Sequence, residues 1–143
     1  MRHWIGVAAR AHVRAGVAGG FAQLGHGRHG EVTALCKGDW IAYYSPKERL
    51  DGAETVRAFT ALGQVVSDAP YQATQAEGFM PWRVDVAYRT DAREASIRPL
   101  LDRLELTRAR GTHWGIAFRR SRIAVTASDF ALIAQAMGLP DPA

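Results

Sequence analysis

Apolar and polar positions alternate most cleanly along Trp82–Arg89. Trp82, Val84, Val86 and Tyr88 fall on one side and Arg83, Asp85, Ala87 and Arg89 on the other, the two-residue period of a half-buried strand. Shorter β-prone runs accompany it. His3–Ala8 is apolar, and Trp40–Ser45 is rich in strand-favouring aromatics, follows the turn signal Lys37-Gly38-Asp39 and is expected to end at Pro46. Arg57–Val66 reads as a further strand with Gly63 as its bulge candidate, and His113–Phe118 with Arg122–Thr126 reads as a hairpin turning at Arg119-Arg120-Ser121. Helical spacing is sparser. Val13 and Val17 define a weak turn within residues 10–17 that stops at Gly19-Gly20, and Pro99–Leu106 reads as a short helix. The best-defined helix comes last: Ser128 as cap, Asp129 in the first turn, Phe130, Ile133, Ala134 and Met137 on one face, and Gly138 with Pro140 as the stop.

About six short strands with flanking helices, and no long helical segment between strands, predict an α+β class: a small mixed β-barrel rather than a doubly wound parallel sheet. No repeat or linker interrupts the pattern, so residues 1–143 are taken as a single domain. In Trp40–Ser45 the faces are Trp40, Ala42 and Tyr44 against Ile41, Tyr43 and Ser45. One set must build core, which leaves the other to line a pocket.

Composition narrows the class. With 48% hydrophobic and 22% charged residues the chain is neither disordered nor fibrous. The lone Cys36 excludes an internal disulfide framework and an all-thiolate zinc site. No apolar run reaches the roughly 18 residues of a membrane span, and the uncharged start, Trp4–Ala9, is shorter than a secretory apolar core of about 7–15 residues. A soluble cytoplasmic protein with no membrane contact is expected. The net charge is +4, but its placement says more: residues 1–30 hold Arg2, Arg10, Arg14 and Arg28 and no acid, while the remainder balances. An acid-free basic end points to an anionic partner such as nucleic acid.

Three local patterns carry candidate chemistry. The stretch Gly19–Gly30 contains five glycines, but its spacing matches neither the P-loop nor the dinucleotide fingerprint; such glycines let the backbone approach a ligand or another segment closely. His26-x-x-His29 has a metal-like spacing, yet with only Glu31 as a third ligand it lacks the shell zinc requires, so neither a metal nor a cofactor is expected. Ser45-Pro46-Lys47 offers a hydroxyl beside a lysine base but no orienting third group or oxyanion hole.

Taken in order, His3-Trp4-Ile5-Gly6-Val7-Ala8, Gly19-Gly20-Phe21-Ala22-Gln23-Leu24 with His26-Gly27, and Gly38-Asp39-Trp40-Ile41 with Tyr43-Tyr44-Ser45-Pro46-Lys47 resemble the EVE domain family, in particular its small stand-alone bacterial members. Phe59-Thr60-Ala61-Leu62-Gly63, Pro81-Trp82-Arg83-Val84-Asp85-Val86 and Asp129-Phe130 with Ile133-Ala134 and Ala136-Met137 continue the match over nearly the whole chain. The resemblance implies a PUA-like barrel related to the YTH and ASCH folds, and a non-catalytic reader of a modified base in DNA or RNA, held flipped out in an aromatic-lined pocket. Carried over by position, the implied pocket is Phe21, Gln23, Tyr44, Ser45, Trp82, Arg83 and Asp85, although alternation groups Trp82 with Val84 and Val86, so either Trp82 is core or the strand begins one residue later. Phosphates would fall to Arg10, Arg14, His26, Arg28 and Lys47. The alternative is an ASCH-like amidohydrolase acting on a modified nucleoside through Ser45, Lys47 and Glu48.

Overall fold

Both faces of the Trp40–Ser45 strand are core in the computed structural model, which describes residues 1–140. Trp40, Ala42 and Tyr44 join one apolar cluster and Ile41 and Tyr43 another, because this strand lies inside the sheet with packed elements on either side. In chain order the elements are β1 (His3–Val7), α1 (Arg10–Gly19), β2 (Phe21–Ala22), α2 (His29–Val32), β3 (Trp40–Lys47), β4 (Thr55–Val65), β5 (Tyr71–Gln72), β6 (Trp82–Tyr88), β7 (Ala95–Ser96), β8 (Arg122–Val125) and α3 (Ala127–Ala136). The main sheet runs β2-β6-β4-β3-β1-β8 and curls into a half-barrel, with β5 added to β6 and β7 to β4. The pair β1–β3 is parallel, so α1 lies on a crossover that the weak Val13/Val17 periodicity does not announce; every other pair is antiparallel. None of the described helices is long and apolar enough to cross a membrane.

Several sequence expectations are corrected by packing. Strand β3 continues through Pro46 to Lys47, because Pro46 falls at a register shift between the Ser45–Ala58 and Lys47–Thr55 pairs, where its missing N–H is not required. Gly63 is not a bulge. It pairs in register with Tyr88, and a Cβ there would lie 2.6 Å from Val86 Cγ1 and 2.8 Å from the Ala87 carbonyl, so glycine permits close strand approach. The bulges of β4 fall instead beside Thr60 and at Val56–Arg57. Residues Gly111–Phe118 form 3₁₀ turns, not a strand: Trp114 and Phe118, four apart, both meet the Tyr44 ring, at 6.5 and 4.3 Å between centroids. Strand β8 therefore pairs with β1. Of Pro99–Leu106, only Pro99 and Leu100 are helical, within the single 3₁₀ turn Arg98–Leu100.

Helix α3 begins earlier than Ser128 would set it. Thr126 is the cap, its Oγ1 accepting from Asp129 N at 3.0 Å. Asp129 turns inward and accepts from the backbone N–H groups of Glu105 and Leu106. The face of Phe130, Ile133, Ala134 and Met137 is buried as expected, and Gly138 at φ +85° closes the helix while the Leu139 N–H donates to Ala134 O at 2.8 Å.

A second buried carboxylate fixes the start of the sheet. Asp39, 3% exposed, accepts from Trp4 Nε1, Arg2 N and Cys36 N at 2.9–3.0 Å. Burial alone would push its carboxyl up, but the bonds from Trp4, Cys36 and Arg2 together hold it below the usual range. A lowered folded value contributes stability that is present above the ordinary carboxylate range and lost as pH falls through the lowered value. Urea unfolding at pH 6 is expected to find Asp39→Ala destabilised by about 2–3 kcal/mol, with the gap from the parent chain narrowing progressively below about pH 4.

Candidate functional site

The glycine-rich stretch after α1 builds the floor of a cavity. Gly20 at φ +73° ends the helix, β2 pairs with β6 through Phe21–Asp85 and Ala22–Val84, and Gly25, His26 and Gly27 all take positive φ. A Cβ on Gly27 would collide with Pro81 Cβ, and one on Gly25 would lie 2.5 Å from Glu31 Cγ. Of the two uses such glycines offer, approach to a ligand or to another segment, Gly25 and Gly27 serve the second.

Gln23 sits at the bottom, 4% exposed, in a cavity of about 450 Å³ walled by Ala8, Ala9 and His12 and rimmed by Leu50 and Phe79. Its backbone carbonyl accepts from His12 Nε2 at 3.0 Å, which requires the proton on that nitrogen. Its side-chain Oε1 accepts from Arg83 Nε at 2.9 Å. A guanidinium only donates, so this bond sets the orientation of the amide. With Oε1 engaged by Arg83, the donating Nε2 end is the part of the amide left for the cavity that Gln23 lines. Arg83 is itself held: its guanidinium carbon lies 3.7 Å from the centroid of the Phe21 ring, and Nη2 donates to Gln75 Oε1 at 3.2 Å.

Phe21, Gln23 and Arg83 thus form one connected unit in which Phe21 carries Arg83 instead of lining the cavity. The other positions expected in the pocket lie elsewhere. Asp85 accepts from the Tyr71 hydroxyl at 2.6 Å; burial, and then this partner, push that phenol upward. Trp82 packs against the cluster containing Val84 and Val86, as alternation predicts, with its ring edge-on to His29 at 4.5 Å. Ser45 is fully buried, its Oγ 2.8 Å from Thr60 Oγ1. Tyr44 belongs to a different recess. The trio Ser45, Lys47 and Glu48 does not converge: Lys47 is exposed at the end of β3, and Glu48 is engaged by Arg10.

The acid-free basic end is acid-free only in sequence. Arg10 Nε lies 2.5 Å from Glu48 and Nη1 2.9 Å from Glu94, and Arg14 stands 3.6 and 3.8 Å from the same two carboxylates. The bond to Glu48, followed by that to Glu94, pushes the Arg10 guanidinium upward. A different arginine surface has formed. Arg28, Arg110, Arg119, Arg120 and Arg122 line a depression of about 1240 Å³ whose only acid among the described residues is Glu31, and Glu31 accepts from Ser121 Oγ at 2.8 Å. None of the five lies within 4 Å of a carboxylate among the described residues. Arg122 stacks 4.9 Å above the Trp4 ring, with its Nε buried and unpartnered. The depression and the cavity share Gly25, His26, Arg119, Arg120 and Ser121, so they are continuous. Of the expected phosphate ligands, His26 and Arg28 lie there. A hairpin reading hides Arg119, Arg120 and Arg122, although the run Arg119-Arg120-Ser121-Arg122 is itself a visible signal. Among the described residues no cluster of three metal-ligating side chains occurs.

Comparisons agree with this architecture. The family model described as "EVE domain" matches residues 2–136. A UPF0310 protein of Mycolicibacterium vanbaalenii is 41% identical over 140 residues, 98% of this chain and 95% of the relative. The UPF0310 protein YdcG of Bacillus subtilis is 38% identical over 137 residues, 96% and 92% of the two chains. Among solved structures, protein Atu2648 from Agrobacterium tumefaciens superposes with a TM-score of 0.60 at 13% identity over 99% of this chain and 97% of that one. Rpa0253 from Rhodopseudomonas palustris gives 0.59 at 17%, over 99% and 96%. At such identities the likeness concerns the fold, a PUA-like half-barrel.

Proposed function

This chain belongs to the EVE domain family, whose PUA-like fold is consistent with nucleic-acid binding, and we propose that it reads a modified base in DNA or RNA without catalysing a reaction on it. The base enters the 450 Å³ cavity while flanking phosphates lie along the adjoining arginine depression. The observation that carries this reading is Gln23: a nearly buried amide, clamped by Arg83 so that one N–H donor faces a cavity large enough for a small ligand. A fixed donor selects a base edge that presents a carbonyl or ring-nitrogen acceptor.

The division of labour follows from magnitudes. Stacking on an aromatic such as Phe79, exposed at the rim, contributes about 1–3 kcal/mol for any base. A modifying methyl against Ala8, Ala9 and Leu50 adds about 0.8 kcal/mol, roughly fourfold in affinity. Base identity therefore rests on the hydrogen bond to Gln23, and phosphate affinity on the arginines. Pulling the base from a duplex costs a few kcal/mol, so single-stranded or already flipped targets are favoured.

Fluorescence anisotropy with oligonucleotides of one sequence, differing only in a single modified base, tests the reading at two salt concentrations. At least one modification is expected to bind several-fold more tightly than its plain counterpart, at both salts. Equal affinity for every modified and plain strand would refute it.

A further inference from the structure

The bulge at Val56–Arg57 leads to a second recess, of about 410 Å³, that shares no lining residue with the base cavity. Tyr44 lines it with a side chain that is almost wholly buried. Arg57 and Arg98 stand at its edge, neither within 4 Å of a carboxylate among the described residues. Their placement is built in. Arg57 adopts φ +50°, a left-handed conformation that L side chains rarely take and that bulges use to re-aim a side chain. The Arg57 carbonyl accepts from Ile97 N at 3.1 Å, which brings the backbone before Arg98 alongside. Trp114 and Phe118 supply ring surface and Thr112 a hydroxyl, and no acidic side chain among the described residues lines the recess.

Two guanidinium groups, a buried phenol and no carboxylate call for an anion. Burial, against the pull of Arg57 and Arg98, pushes the Tyr44 phenol up to about 12, so it stays a donor at neutral pH. Arginine forks match phosphate oxygens in charge and geometry, and the adjoining indole offers a surface for a heterocycle. We propose that this recess is a nucleotide-phosphate site, in which Arg57 and Arg98 take phosphate oxygens, the Tyr44 hydroxyl donates to one of them, and the base lies on Trp114.

The site stands on its own geometry, apart from the base-reading cavity, and its test separates the two. Calorimetric titration would compare uridine 5′-monophosphate, uridine and inorganic phosphate. A second arm would compare one oligonucleotide carrying a 5′-phosphate with the same strand carrying a 5′-hydroxyl. The monophosphate, if the source is free nucleotide, or the 5′-phosphorylated strand, if the source is a nucleic-acid end, is expected to bind about 10-fold more tightly than its phosphate-free partner. Arg98→Gln, at an exposed position, should remove most of that gain, and Tyr44→Phe, which keeps the ring and deletes the hydroxyl, should lower it about 5-fold. Both variants should keep the parent's melting temperature and its preference among modified bases. Absence of a phosphate-dependent gain in both arms would overturn the proposal, as would a gain that neither variant lowers.

Discussion

Replacing Arg28, Arg110, Arg119 and Arg120 together with glutamine is expected to weaken oligonucleotide binding by two to three orders of magnitude at about 0.1 M salt and to flatten its salt dependence. All four are exposed and line the depression beside the cavity. Each phosphate contact on a single strand contributes about 0.7 to the slope of log affinity against log salt, so losing four should lower that slope by roughly 3. The contrasting variant is Arg10→Gln with Arg14→Gln. These side chains are already neutralised by Glu48 and Glu94, so the slope should stay near the parent value. Anisotropy titrations across a series of salt concentrations decide the matter: an unchanged slope in the fourfold variant, or a collapsed slope in the Arg10/Arg14 pair, would mean that phosphates lie elsewhere.

The contrast between these two arginine groups shows what a linear sequence conveys. Residues 1–30 contain no acid, yet Glu48 and Glu94 reach Arg10 through the folded chain from 38 and 84 residues away. Charge runs describe neighbours along the backbone, whereas electrostatics depends on neighbours in space. Alternation does better, because it reports a local periodicity: it groups Trp82 with Val84 and Val86, and the folded chain packs them together. The same logic fails at His113–Phe118, where six residues, mostly apolar or small, fit either period and the Tyr44 ring decides for 3₁₀ turns. Strands of two residues, such as β2 and β5, carry no pattern at all; pairing with β6 creates them.

For the candidate site, residue types are legible and their grouping is not. Gln23 and Arg83 lie 60 residues apart, and nothing in either segment says that one clamps the other. The family resemblance turns Phe21 toward a base, but Gly19 leaves room for its ring to settle back and Arg83 then covers it. Tyr44 and Ser45 are adjacent, so in a strand they point to opposite faces and cannot share one pocket. Strand geometry alone makes that exclusion.

Gln23→Glu is expected to abolish the preference for a modified base while sparing salt-dependent binding. In the parent chain Arg83 holds Oε1 and leaves the Nε2 donor toward the cavity. A glutamate would keep the bond to Arg83 through one oxygen and turn the other, an acceptor, toward the base. A carbonyl edge would then meet an acceptor on a nearly buried side chain. The loss of one hydrogen bond and the repulsion that replaces it should cost about 1.5–3 kcal/mol, or roughly 10- to 100-fold in affinity. Gln23→Leu removes the donor without adding repulsion, so its loss should be smaller. Arg83→Met leaves Gln23 in place but frees its amide to rotate; the preferred strand should bind more weakly and discrimination should fall, although no group touching the base has changed. The graded order Glu, then Leu, then Met separates a directional hydrogen bond from simple cavity filling. If all three variants discriminate as well as the parent, the clamped amide is not the reading element, and specificity must reside in the apolar walls alone.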